Sequence, residues 1–435
     1  MEHRERLIPR EYLVTFILVT SLFALWGFAN DFTNPMVAAF RTVMELSNFK
    51  ASMIQFAFYG GYATMAIPAA FFIRRYSYKS GILFGLALYA MGAILAMPAA
   101  ELQSFTFFCL ALYILTFGLA FLETTANPFV LSLGARENST RRLNMAQAFN
   151  PVGSLTGMAV ASFVVLPNLL SDERDVGGQL TFAAKSAAEK AGIRVHDLEA
   201  IRTPYVVIGL IVLVVFVIFA LKKMPKTMTE HATGATGTHS VRTMLSNLWG
   251  DGVYRYGVIT QFFYVGAQIM CWTFIIQYAE RLGLSWAKAQ MFNIVAMSLS
   301  LVGRFMGTYL MKFFSSRAML AAFGIGAIVF TLGTICIDGM PGLYSLVLIS
   351  LFMSIMFPSI YGIALENVHH EDMPLGAAFL VMAIVGGAVL TPLQGLLIDQ
   401  QVIFGWPAVN VSFVLPLICF LVITLYGLTL TKVES

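Results

Sequence analysis

Long apolar runs alternate along the chain with short polar or charged breaks. A helix that crosses a bilayer needs about 20 mostly apolar residues. The pattern therefore predicts an all-α membrane protein with twelve spanning helices in two pseudo-symmetric six-helix bundles. The predicted spans are 12–36, 51–73, 80–99, 103–134, 142–166, 203–222, 253–279, 287–311, 317–337, 341–366, 374–398 and 407–431.

A polar stretch separates the sixth and seventh spans. Residues 222–250 are rich in Thr, Gly and His and carry no helical apolar stripe. We therefore predict an N-terminal bundle over 1–222, a cytoplasmic linker over 223–250 and a C-terminal bundle over 251–435. Two blocks of six helices are typical of transporters built from related halves.

Composition excludes several classes of function. Of the 435 residues, 58% are apolar and 11% are charged, whereas soluble domains have about 25% charged residues. The sequence contains no basic patch of the kind that binds nucleic acid. It also contains no Gly-Lys-Ser/Thr phosphate-binding loop, so ATP is not expected as the energy source. Since no nucleophile–base set or metal cluster appears, we expect no enzyme and no cofactor beyond a coupling ion, Na+ or H+. We expect a monomer in the lipid bilayer.

Basic residues near the span ends predict the orientation. Short loops facing the cytoplasm carry an excess of Lys and Arg. Seventeen such residues fall on one side, which includes both termini, and four on the other. Residues 167–202 carry both basic and acidic side chains. They add little to the orientation prediction, because long loops contribute little to the charge bias. We predict a bacterial inner-membrane protein with both termini in the cytoplasm.

The first span carries an acid where lipid disfavours charge. Asp31 lies in the run Asn30-Asp31-Phe32-Thr33-Asn34-Pro35. Asp31 and Asn34 share a helical face, and Pro35 leaves the Asp31 carbonyl without its usual donor. Asp31 and Asn34, with Asn30, are thus candidate ligands for a coupling cation. The alternative is that Asp31 pairs with a buried Arg such as Arg304 and locks two helices together.

A second acid lies in the fourth span. Glu123 and Asn127 are four residues apart and share a face, directly before Pro128. A membrane Glu can accept a sugar hydroxyl or carry a proton, although structural pairing is the alternative. Asn144 and Gln147 share a face of the fifth span, and with Glu123 and Asn127 they are candidate sugar-binding residues.

The seventh span carries a polar and aromatic stripe. Gln261, Tyr264, Gln268 and Trp272 follow helical spacing along one face. Neutral amides beside an aromatic ring suit a sugar, whose hydroxyls need donors and acceptors. A helix interface held by Gln hydrogen bonds has the same appearance.

Several motifs together resemble one transporter group. They are Leu122-Glu123-Thr124-Thr125-Ala126-Asn127-Pro128-Phe129-Val130, Arg142-Leu143-Asn144-Met145-Ala146-Gln147, Tyr264-Val265-Gly266-Ala267-Gln268, Gly303-Arg304-Phe305, and Val385-Gly386-Gly387 before Thr391-Pro392. On these the chain resembles the fucose–galactose–glucose symporters of the major facilitator superfamily over its full length. The resemblance implies that Glu123 sits in a central cavity and acts in sugar recognition or coupling. In the fucose symporters the helix-one acid aligns with Asn34, and an asparagine aligns with Asp31.

Secondary active uptake of a monosaccharide with a cation, by alternating access, is the function predicted. Because Asn34 cannot titrate, sodium is favoured as the coupling ion and proton-coupled uptake of fucose or another hexose is the alternative. Export of a drug or metabolite by antiport and a membrane sensor are the other hypotheses. Asn150-Pro151-Val152-Gly153 matches the antiporter motif only in part, and no output module is present.

Overall fold

The computed structural model describes residues 7–46, 48–173, 181–224, 240–284, 286–403 and 405–434. Within these ranges the side chain of Asn34 lies outside the described part. Much of the predicted linker, 225–239, lies outside it as well.

Nineteen α-helices form almost all of the described structure. They are α1 Leu13–Val43, α2 Asn48–Arg75, α3 Tyr78–Ile94, α4 Ala96–Glu101, α5 Phe105–Ser132, α6 Ser139–Gln147, α7 Asn150–Val160, α8 Ala187–Leu221, α9 Val241–Gly250, α10 Gly252–Thr273, α11 Ile275–Arg281, α12 Trp286–Leu310, α13 Ser316–Cys336, α14 Met340–Met353, α15 Met356–Ala364, α16 Met373–Met382, α17 Val385–Ile398, α18 Ala408–Ser412 and α19 Val414–Glu434. Two short strands, β1 Val402–Ile403 and β2 Trp406–Pro407, form an antiparallel pair that the sequence analysis did not predict.

The predicted spans recur as helices, many of them in two pieces. Eleven helical stretches among the described residues are long and apolar enough to cross a membrane, and α2 occupies the remaining predicted span, 51–73. The predicted span 142–166 consists of α6, α7 and a five-residue π-turn, Ala161–Val165. Local breaks of this kind leave the hydropathy of a window unchanged, so the apolar pattern alone does not detect them.

Two polar segments are more helical than predicted. The helix α8 begins at Ala187, well before the predicted start at 203, and therefore runs through much of the segment 167–202. A capping box explains this start, because Ser186 accepts from the Glu189 N–H while the Glu189 carboxylate accepts from the Ser186 N–H. In the predicted linker, Ser240 caps α9 over Val241–Gly250.

The chain forms two compact units. The first, here the N unit, comprises Ser21–Ala126 and Val152–Met224. The second, here the C unit, comprises Met1–Thr20, Asn127–Pro151 and Pro225–Ser435. The division into 1–222, 223–250 and 251–435 stays a prediction.

Close helix crossings organise each unit. In the N unit, α7 crosses α1 at Gly153, where an added Cβ would lie 1.8 Å from the carbonyl oxygen of Ala24. In the C unit, α17 crosses α10 at Gly386, where an added Cβ would lie 2.1 Å from the Phe262 carbonyl oxygen. Small residues at such crossings let helix backbones approach, which is how helices pack in lipid.

The short helix α6 packs against α15 and α12 within the C unit. At the contact with α15, Gly362 faces Thr140 so closely that an added Cβ would lie 2.6 Å from the Thr140 hydroxyl oxygen. Beside it, the Arg141 Nε donates to the Thr308 carbonyl at 3.2 Å. This packing places the polar side chains of α6 among those of the C unit.

Candidate functional site

The first predicted acid, Asp31, is half-buried in the N unit on α1. Its carboxylate lies close enough to the Ser154 hydroxyl of α7 and to Tyr59 of α2 to interact electrostatically with both. Ser154 reaches Asp31 because the glycines of α7 allow close approach to α1; an added Cβ at Gly157 would lie 2.6 Å from the Phe28 carbonyl oxygen. Asn30 is half-buried on the same helix.

The second acid, Glu123, is more deeply buried on α5. Its exposed fraction is 5%, and within the described ranges Oε2 has no hydrogen-bond partner. The phenol of Tyr62 on α2 interacts electrostatically with this carboxylate and with Tyr59. The carboxyl site of the N unit, as we call it, consists of Asp31, Glu123, Tyr59, Tyr62 and Ser154.

Two predicted sugar-binding residues of the C unit contact each other. The Gln147 Nε2 donates to Asn127 Oδ1 at 2.9 Å, and both side chains are buried. Among the residues that the structure describes, Asn127 Nδ2 has no acceptor. The pair thus joins α5 to α6 and keeps one amide donor unused.

Asn144 lies one turn before Gln147 on α6 and is fully buried. Its Nδ2 donates to the Thr140 carbonyl at 3.0 Å and to the Ser359 hydroxyl at 3.2 Å. Its Oδ1 accepts no hydrogen bond from the described part of the chain. Asn144 therefore links α6 to α15 and leaves one acceptor available.

The seventh predicted span contains the clearest unsatisfied side chain. Gln261 on α10 has an exposed fraction of 0%, yet in the described structure neither Nε2 nor Oε1 has a partner. A buried polar group without a partner costs about 1–3 kcal/mol. We refer to Gln261, Asn127, Asn144 and Gln147 together as the amide cluster, because all four are buried amide side chains of the C unit.

The other members of the predicted stripe are used differently. The Tyr264 hydroxyl donates to the Met353 carbonyl at 3.1 Å and is fully buried. The Trp272 Nε1 donates to the Ser350 hydroxyl at 3.1 Å, and Gln268 is half-buried. Tyr264 and Trp272 thus hold α10 against α14 through their polar atoms, while their rings stay predictions as sugar contacts.

Two buried arginines bind backbone carbonyls. The Arg304 Nε donates to the Ser354 carbonyl at 2.6 Å, and its Nη1 donates to the Gln147 carbonyl at 2.8 Å. The guanidinium thereby joins α12 to α6 and to Ser354, the residue that follows α14, inside the C unit, as expected of a packing charge. Arg142, at the start of the predicted span 142–166, is fully buried and donates through Nε to the Val130 carbonyl at 2.8 Å.

Sequence reasoning missed the hydroxyl groups around the acids. Tyr59 and Tyr62 are three residues apart on α2 and so share a face, a signal that was readable in the sequence. Ser154 had no such signal, because its proximity to Asp31 depends on where α7 crosses α1.

The comparisons with known proteins agree with this architecture. The sequence profile of the Major Facilitator Superfamily matches residues 12–392. The chain belongs to that superfamily. It is 58% identical to the L-fucose-proton symporter of Haemophilus influenzae over 428 residues, which are 98% of this chain and 99% of that protein. It is 30% identical to the glucose/galactose transporter of Brucella abortus, over 99% of this chain and 97% of that protein.

A solved structure has the same fold. The crystal structure of a single-residue variant of the Escherichia coli fucose:proton symporter superimposes with a TM-score of 0.86 and 34% sequence identity, over 96% of this chain and 98% of that chain. The predicted fold class and the resemblance to the fucose–galactose–glucose group are therefore confirmed. The chain is a multi-pass membrane transporter and not an enzyme, and its relatives agree with the expectation that it needs no cofactor besides a coupling ion.

Proposed function

We propose that the chain imports L-fucose together with a proton, by alternating access across the bacterial inner membrane with both termini in the cytoplasm. The relative at 58% identity is named an L-fucose-proton symporter, whereas the relative at 30% is named a glucose/galactose transporter. The sequence-based preference for sodium finds no support in these relatives, and the alternative, proton coupling, is the better proposal.

The observation that carries proton coupling is the state of Glu123. A carboxyl group in a spanning helix is expensive to insert and is retained where it moves protons or binds a solute. Glu123 is 5% exposed and its Oε2 accepts no hydrogen bond from the described residues. A proton needs one such oxygen, whereas a sodium ion needs several oxygen ligands around it. We assign proton uptake to Glu123, with Asp31 as the second titrating group.

The amide cluster supports the sugar part of the proposal. L-Fucose is uncharged and presents hydroxyls, each of which donates and accepts. Gln261 offers an unused donor and acceptor, Asn144 an unused acceptor and Asn127 an unused donor. We assign sugar recognition to these residues and Gln147, with Tyr264, Gln268 and Trp272 as flanking contacts.

Purified protein in liposomes provides the test. We expect labelled L-fucose to accumulate when the outside is acidic and to leak out when a protonophore is added. An inward sodium gradient at equal pH is expected to give no accumulation. Accumulation with sodium alone would restore sodium coupling, and preferential accumulation of D-glucose or D-galactose would replace L-fucose as the substrate.

A pair of variants links the assay to the site. Glu123→Gln keeps the shape of the side chain but cannot release or accept the coupled proton, so proton-driven accumulation is expected to fall to background. Glu137→Gln, at an exposed acid of the C unit, serves as the matched control and is expected to transport normally. Full accumulation by Glu123→Gln would remove Glu123 from coupling.

A further inference from the structure

Among the described residues of the N unit, two of the buried polar atoms that lack hydrogen-bond partners lie on the neighbouring helices α2 and α5. One is the hydroxyl of Tyr62 on α2, a residue with an exposed fraction of 3%; the other is Oε2 of Glu123 on α5, at 5%. Neither accepts or donates a hydrogen bond within the described residues. Such atoms are rare in native proteins, and each requires an explanation.

The packing of α2 on α5 brings the two groups near each other. An added Cβ at Gly61 would lie 2.7 Å from the Thr116 Cβ, so the two helices are in close contact beside Tyr62. On the same interface the hydroxyls of Thr64 and Tyr113 are 3.1 Å apart. Tyr62 and Glu123 also interact electrostatically, and no direct hydrogen bond joins them within the described residues.

The Tyr62 phenol and the Glu123 carboxylate together suit a hydroxyl group as their ligand. A phenol both donates and accepts, whereas a carboxylate only accepts. A hydroxyl group can donate to Glu123 and accept from Tyr62 at the same time, which satisfies both buried atoms. Tyr59, one turn earlier on α2, extends the same polar face toward Asp31.

We propose that Tyr62 is a further substrate-binding residue, which together with Glu123 holds a hydroxyl group supplied by the sugar or by a bound water. The inference rests on the proposed function, since the sugar is L-fucose there. A phenylalanine at position 62 fills nearly the same volume without burying an unpartnered oxygen. The phenol oxygen is therefore explained by what it binds and not by packing.

The test compares Tyr62→Phe with Tyr113→Phe. Both variants remove one hydroxyl from the N unit, but the Tyr113 hydroxyl already bonds to Thr64. We expect Tyr62→Phe to weaken equilibrium binding of L-fucose about tenfold, the usual effect of losing one hydrogen bond in a charged network, and to leave the melting temperature unchanged. Tyr113→Phe is expected to bind as the wild type does.

Deoxy analogues of L-fucose, each lacking one hydroxyl, distinguish the two sources. If the sugar supplies the group, one analogue binds wild type and Tyr62→Phe equally, because the contact is already missing. If water supplies it, Tyr62→Phe weakens all analogues by the same factor. Equal binding by Tyr62→Phe and Tyr113→Phe with every ligand would overturn the inference.

Two further controls keep the result interpretable. Should Tyr62→Phe melt early, Tyr62→His retains an imidazole ring in which one nitrogen donates and the other accepts, and intermediate affinity is expected. Affinity no better than that of Tyr62→Phe would contradict the proposal. A wild type that binds no L-fucose refutes the proposed function and this inference together. A wild type that binds, beside a Tyr62→Phe variant that is unaffected, refutes the inference alone.

Discussion

Two buried carboxyl groups of the N unit, Asp197 and Glu123, differ in their hydrogen-bond partners. Asp197 on α8 is fully buried and accepts from the N–H groups of Leu170 and Ser171 at 2.9 Å each, with His196 Nδ1 3.0 Å away. Glu123 is almost as buried, but its Oε2 accepts nothing from the described residues. Burial is therefore similar for the two carboxyl groups, whereas the hydrogen-bond donors that surround them differ.

The difference follows from position in the chain. Asp197 lies in the polar, first part of α8 and holds the segment at Leu170 and Ser171 against that helix. Glu123 lies within an apolar helix, where most neighbouring side chains carry no hydrogen-bond donor. A carboxylate with fixed donors stabilises the fold, and one without them remains available to a proton and a solute.

The largest expected effect concerns the second acid of the carboxyl site. Asp31→Asn keeps the size and polarity of the side chain but removes the titrating group, so proton-driven accumulation of L-fucose is expected to fall to background while equilibrium binding persists. Uptake in liposomes and binding in detergent measure the two properties. Asp399→Asn, at an exposed acid, is the control; unchanged accumulation by Asp31→Asn would exclude Asp31 from coupling.

The opposite result is expected for the anchor. Asp197→Asn places an amide NH2 group against a backbone N–H, so one buried donor loses its acceptor at a cost of about 2 kcal/mol. We expect a lower melting temperature in detergent and normal L-fucose exchange per folded molecule. Intact stability with lost exchange would reverse the assignment of the two carboxyl groups.

Gln261 provides an uncharged test of the idea that a buried polar group without partners serves binding and does not stabilise the fold. Gln261→Met retains the length of the side chain and removes two buried atoms that lack partners in the described structure. We expect unchanged or higher thermal stability and about tenfold weaker L-fucose binding, the loss of one to two hydrogen bonds. Gln400→Met, at an exposed position, is the control. A clear fall in stability would show that Gln261 serves packing.

The smallest effect is expected at the surface of the N unit. The Lys190 hydrogen bond, at 2.7 Å, lowers the pKa of the exposed Glu45 carboxyl, and Arg194 at 3.3 Å adds to it. The pKa of Glu45 is lower in the folded than in the unfolded protein. The ion pairs therefore add to the free energy of unfolding at pH values above the unfolded pKa, and this stabilisation disappears as the pH falls through the folded pKa.

Glu45→Gln is therefore expected to lower the melting temperature only slightly at neutral pH. The difference from wild type is expected to vanish in acid or at high salt, since exposed ion pairs are weak and screened. Melting curves across pH and salt measure it. A large, salt-independent effect would show that this pair acts as an anchor like Asp197.

Much of the fold was predictable because it depends on local sequence. Apolar runs of spanning length located the helices, and even the early start of α8 was readable in the Ser186–Glu189 capping box. The breaks between α6 and α7 and the strands at 402–407 were not predicted. They depend on packing and turn geometry that hydropathy does not record.

The candidate site was predictable in part. Asp31, Glu123 and the amides of the predicted sugar site stood out because polar groups are costly in hydrocarbon. The contact between Gln147 and Asn127 was not foreseen, since Asn127 was expected to act with Glu123 on its own helix. The sodium preference rested on oxygen spacing along α1, and the comparison with the L-fucose-proton symporter favours the proton instead.

By itself the sequence determined that this chain spans a membrane, how many times it crosses, and which acids lie within spanning helices. It could do so because each span is defined by about 20 consecutive residues. Only the tertiary structure decided that Ser154 lies near Asp31 and that Asp197 accepts two backbone N–H groups. It also decided that Tyr62 and Gln261 find no hydrogen-bond partner among the described residues. Those outcomes depend on crossings between helices distant in the chain, where a glycine or a change of a few degrees determines which polar atoms meet.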